Sequence, residues 1–143
     1  METEGSFLPE TAAAARARYG RLESTAKGIV REVTRAMEFD GDEYDRRVTD
    51  DVIETAQDAL FASQLEVTVG SREEYEQWRA ETDHEVVEVG SENVDHVAWH
   101  APPATGTAVA ATFQDKREAA VETLRRQAFG RCYRELLAEE TEQ

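Results

Sequence analysis

Three histidines, His84, His96 and His100, are the side chains of this sequence best suited to proton transfer or metal ligation. His96 and His100 stand four apart, a spacing that on a helix puts two imidazoles on one face and within reach of one zinc ion. Their surroundings point instead to a strand, because Val97, Ala98 and Trp99 between them alternate with period two around neighbours that do the same. Four strand residues span about 13 Å, whereas zinc ligands sit about 2 Å from the metal, so the two rings cannot chelate one ion. A metal site would need one of them together with His84, Asp95 or glutamates from adjoining strands. For acid–base catalysis His96 and His100 are again the candidates. No nucleophile elbow, phosphate-cradling glycine loop or dinucleotide fingerprint accompanies them. We therefore expect no catalytic residue, no metal and no cofactor, with a His-dependent enzyme as the least favoured reading.

The cations carry the next signal. Residues 115 to 134 hold six basic side chains against three acidic ones, residues 10 to 39 hold six against four, and residues 40 to 95 hold four against eighteen. Lys27, Arg31 and Arg35 recur every fourth residue along one flank of a helical pattern. Arg125 falls at the same helical angle as Val121 and Cys132, so its stem should cover apolar surface while its guanidinium seeks a buried carboxylate. With Arg126 and Arg131 these residues are the candidate anion-binding set for a phosphate or RNA surface. The favoured account is structural: they pair with the acidic middle of the chain or of a second subunit.

Elsewhere, core roles are expected. Cys132, the single cysteine, has no partner for an internal disulfide and sits in an apolar helical pattern. Trp78 and Trp99 could stack on a ligand, but Trp99 shares a strand face with Val97 and Ala101, which favours packing.

The elements that must position these residues follow from periodicity. Ala12, Ala15, Tyr19, Leu22, Ala26, Ile29, Val33 and Ala36 alternate spacings of three and four and predict one long amphipathic helix, with Pro9 in its first turn. A helical stretch from Asp42, broken near Thr49, continues through Val52, Ile53, Ala56 and Leu60. Gln64 to Val69 reads as a strand, and Ser71 with Glu74 forms a capping box that starts a short helix carrying Tyr75 and Trp78. Two strands, Glu85–Val89 and His96–Ala101, are expected to pair across a turn at Gly90 to Asn93, followed by a strand over Thr107 to Phe113. Asp115 should cap a last helix running from Lys116 to Ala138. The fold class expected is α+β: a small antiparallel meander of three to four strands packed by long N- and C-terminal helices. It should form one domain over 1–143, with a flexible tail at 1–9 and an acidic tail at 139–143.

Composition bounds the setting. The 143 residues carry 31 acidic and 16 basic side chains, a formal charge of -15, and only Lys27 and Lys116 are lysines. Such an excess destabilises a compact chain in dilute salt and is screened when the Debye length shrinks to about 3 Å at molar salt. A halophilic, cytoplasmic protein is expected, with an acidic surface acting as a solubility device. No window approaches the roughly 18 apolar residues of a membrane-spanning helix, and Met1-Glu2-Thr3-Glu4 lacks the start of a secretory signal, so no membrane is expected as a partner.

Ser91 to His100, together with Leu124 to Arg131, resembles an uncharacterised haloarchaeal family known only as a domain of unknown function. The resemblance runs from Tyr19 onward and implies an archaeal, salt-rich source, but brings no activity or site residue. From the residues themselves, a non-enzymatic interaction or homo-oligomerisation module is expected, with a homodimer or another protein as partner. Anionic-ligand or RNA binding is the alternative.

Overall fold

A computed structural model describes residues 1–138; the expected tail at 139–143 lies outside them. The long first helix, α1 (Ala12–Ala36), is opened by Thr11, whose hydroxyl accepts from the Ala14 amide at 3.0 Å. Pro9 is therefore buried before the helix and not within its first turn. Asp40 caps the short α2 (Gly41–Arg47), and the expected break near Thr49 separates it from α3 (Asp50–Ser63), which lies along α1.

Residues 1–9, expected as a tail, instead supply the edge strand β1 (Glu2–Glu4) and the buried Phe7. Three strand residues are too few for a period to register, and its acidic residues hide the pattern. Arg117 holds them, at 2.6 Å from Glu2 and 2.8 Å from Glu4. The remaining strands are β2 (Val67–Ser71), β3 (Glu85–Val89), β4 (His96–His100) and β5 (Thr107–Phe113), in the order β1-β2-β4-β5-β3. The sheet thus has five strands and is mixed, where an antiparallel meander of three to four was expected.

β3 does not pair with β4: β5 lies between them and runs parallel to β3, with Val87 beside Val109. Alternation assigns faces to a strand but not neighbours. What distinguishes β5 is its alanine-rich run Ala108-Val109-Ala110-Ala111, buried throughout because helices cover both faces of this strand. Gly90 ends β3 at φ +108°, where a side-chain carbon would collide with the Thr112 hydroxyl.

One sheet face, carrying Val67, Val69, Ala98, Val109 and Ala111, meets α1, α3 and the C-terminal helix. Phe61 is the hub, with the rings of Phe7, Tyr19, Phe129 and Tyr133 all edge-on to it at 5.1 to 5.9 Å. The other face is covered by α4 (Arg72–Glu81), which starts at the expected Ser71/Glu74 capping box and packs Tyr75 and Trp78 on Trp99 and Val97. The C-terminal helix begins at α5 (Arg117–Ala128) without a side-chain cap from Asp115, passes through a π-helical turn at Phe129–Tyr133, and ends in α6 (Arg134–Ala138). The extra residue in that turn lets both Ala128 with Cys132 and Phe129 with Tyr133 face the core.

Candidate functional site

β4 is extended, as expected, and carries His100 into the layer between sheet and helices, where the residue is 1% exposed. Its Nδ1 lies 2.7 Å from the carbonyl oxygen of Glu66 and its Nε2 lies 2.7 Å from the Tyr133 hydroxyl. A carbonyl only accepts, so Nδ1 carries the proton and Nε2 accepts from Tyr133. Burial lowers the pKa of His100 to about 4, and Arg125 and His84 act electrostatically in the same direction while the Glu66 carbonyl opposes them. The ring is neutral with both nitrogens engaged, a cross-brace between the residue preceding β2 and the π turn.

The other two histidines do not join it. His96, at the far end of β4, is exposed and stacks on Phe113 with centroids 5.3 Å apart. His84 lies just before β3, with Nε2 2.8 Å from the Pro102 carbonyl and Nδ1 3.2 Å from the Thr82 hydroxyl. Among the described residues no group of three His, Cys, Asp or Glu side chains is arranged to hold a metal. Cys132 is buried 3.4 Å from the Thr107 carbonyl, and burial pushes its thiol up to about 11.

Arg125 turns inward as its helical angle implies, but the partner of its Nε is the main-chain carbonyl of Leu65, at 3.0 Å, and not the buried carboxylate expected. The chain crosses it so closely that a side-chain carbon on Gly5, at φ +91°, would stand 2.7 Å from the guanidinium. Of the other expected anion contacts, Lys27 pairs with Glu23 at 3.0 Å and Arg35 with Glu32 at 3.1 Å, while Arg131 donates to Gln127 at 3.1 Å. Arg31 and Arg126 are exposed. Lys27, Arg35 and Arg131 thus bind within their own helices and not the acidic middle of the chain.

A different feature emerges at the free end of α1. The buried line runs Ala15, Leu22, Ala26, Val30 and Thr34, so Ile29 and Val33, expected to face inward, are 43% and 51% exposed. A straight helix drifts about 20° per heptad against a repeat of three and four, enough to carry a heptad-like stripe off its partner over this length. Thr25, Ile29, Val33 and Met37 consequently form an exposed uncharged row at four-residue spacing. Beside Ile29, Val33 and Met37, a groove of about 290 Å³ is completed by Phe39, Val48 and Val52. The sequence pattern contained Ile29, Val33 and Val52 but not Thr25 or Met37, and it did not give their exposure, which depends on where α3 crosses.

Elsewhere, a polar cleft of about 570 Å³ separates α4 from β3. In it Arg79 is held by Glu88 at 2.6 Å, and the buried Tyr75 hydroxyl approaches Glu88 without closing a hydrogen bond. Burial, then Glu88, pushes that phenol up to about 12. No helix among the described residues is long and apolar enough to cross a membrane.

Comparison with known proteins matches residues 6–134 to a family of unknown function (DUF5809). No curated protein and no solved structure matches the chain.

Proposed function

We propose that this chain, which belongs to the DUF5809 family, is a non-enzymatic module that forms a homodimer through the exposed row of α1, in the salt-rich cytoplasm of an archaeal cell. The observation that carries this reading is the uncharged ridge Thr25-Ile29-Val33-Met37 on a chain of which 33% is charged. A row at four-residue spacing is self-complementary: two copies interdigitate at a crossing angle of about -50°. A second α1 packed antiparallel about a two-fold axis meets the same residues it presents. Gly28 and Ala36 beside the ridge carry little bulk, which lets a second helix approach closely. The ridge is about 18 Å long, which suits a small interface of micromolar and not nanomolar affinity.

Anionic-ligand or RNA binding through Lys27, Arg31, Arg35, Arg125, Arg126 and Arg131 has weaker support. Four of those six already bind carboxylates, a side-chain amide or main chain, and binding by counterion release weakens steeply in salt. A His-dependent enzyme has the least, since His100 has no free nitrogen.

Light scattering in molar potassium chloride tests the reading. The parent should show a dimer mass at micromolar concentration, and Val33→Glu a monomer mass with unchanged circular dichroism. A parent that stays monomeric, or a Val33→Glu variant that still dimerises, overturns it.

A further inference from the structure

The sheet face under α4 is only partly covered. Beyond the helix, a cleft of about 390 Å³ opens over β1, β2 and β4, lined among others by Leu8, Glu66, Thr68, Trp78, Trp99 and Ala101. Its wall is aromatic: the partly exposed Trp78 stacks at 5.4 Å on Trp99, which is 3% exposed, with their planes 26° apart, and they are the only two tryptophans in the chain. Trp99 stands opposite Thr68 in the β2–β4 register, and Glu66, two residues earlier, projects to the same side.

Glu66 is the unexplained group. Its main chain is pinned twice, its amide donating to the Phe7 carbonyl at 2.8 Å and its carbonyl accepting from His100 at 2.7 Å. The residue is partly buried, and among the described residues its carboxylate makes no hydrogen bond and no ion pair. A carboxylate without a counter-ion beside apolar surface is open to one. Lining this cleft otherwise are indoles, Leu8, Ala101, two threonines and Met1, whose ammonium is taken by Glu74 at 3.1 Å, so no cation of the cleft is paired with Glu66.

A carboxylate beside indoles is the chemistry that recognises a cation with a greasy periphery. The ring quadrupole attracts the charge, the apolar wall accepts the methyl groups, and the anion neutralises the whole. A hydrated potassium ion gains little there, because it must shed water to meet apolar walls. We propose that this cleft is a binding site for a compact organic cation of the quaternary ammonium class, seated against Trp78 and Trp99 and neutralised by Glu66. The site is independent of the α1 ridge.

Tryptophan fluorescence reports on this cleft alone, because no other indole contributes. Titrating the full chain with tetramethylammonium chloride, in dilute and in molar potassium chloride, should give a saturable change. Glu66→Gln should weaken binding by roughly tenfold or more, as should Trp78→Leu followed through Trp99. Neopentyl alcohol, similar in shape but uncharged, should give no saturable response. The proposal is overturned if the cation gives none, if the alcohol matches it, or if a folded Glu66→Gln binds as well as the parent.

Discussion

Phe61 and His100 sit in one layer but stabilise it by different physics. Phe61 is fully buried and touched edge-on by four other rings, so Phe61→Ala removes both its own burial and the surface those rings share. A cost of about 3 to 5 kcal/mol is expected from urea unfolding, and a cost under about 1 kcal/mol would mean the hub collapses around the gap. For His100 the pKa falls from an ordinary 6.5 to about 4 on folding, so between those values the unfolded chain binds more protons. Its contribution to stability is fully present above about pH 6.5 and is lost as the pH falls toward 4, a loss of about 3 kcal/mol. The parent should lose about that much more than His100→Gln between about pH 7 and about pH 4; equal losses would show that the ring is not held neutral. Neither role was legible beforehand. A histidine at the end of an alternating segment reads equally as ligand, catalyst or core, and only the facing Tyr133 and Glu66 decide.

Elements were legible where a short-range rule specifies them. The capping box is such a case: the Ser71 hydroxyl accepts from the Glu74 amide at 3.1 Å while the Glu74 carboxylate accepts from the Ser71 amide at 2.9 Å. Ser71→Ala should cost about 1 kcal/mol in the urea midpoint, and an unchanged midpoint would show that the packing of Tyr75 and Trp78 holds α4 without its cap. Where a partner distant in sequence specifies the geometry, the reading failed. β1 forms because Arg117, 113 residues from Glu4, lies across its acidic side chains. β3 pairs with β5 although β4 follows it directly. The π turn at Phe129–Tyr133 follows no regular period, because its extra residue brings Phe129 and Tyr133 into the core beside Ala128 and Cys132. The exposed ridge belongs here too, since Ile29 and Val33 stood in the apolar stripe while Thr25 and Met37 did not, and the crossing of α3 leaves all four outward.

At the scale of the whole molecule the charge of -15 decides how stability responds to its surroundings. The seven ion pairs described bring Lys27, Arg35, Arg72, Arg79, Arg117 and the N-terminus to carboxylates, but among the described residues most acidic side chains stand without one. Exposed pairs of this kind contribute little each, about 0 to 1 kcal/mol, so they do not offset a net repulsion spread over the surface. Raising the salt shortens the Debye length from about 10 Å at 0.1 M to about 3 Å at 1 M, which removes most repulsion between neighbouring carboxylates. It weakens the ion pairs as well, and the two effects oppose each other. With about twice as many acids as bases, the repulsive part is the larger, so the Tm should rise as potassium chloride goes from dilute to molar. The same repulsion opposes self-association, and a dimer joined at α1 should therefore tighten with salt while binding of an anion would loosen. A Tm that falls or stays level across that range would mean the charges are already balanced by the fold, and the halophilic reading would go with it.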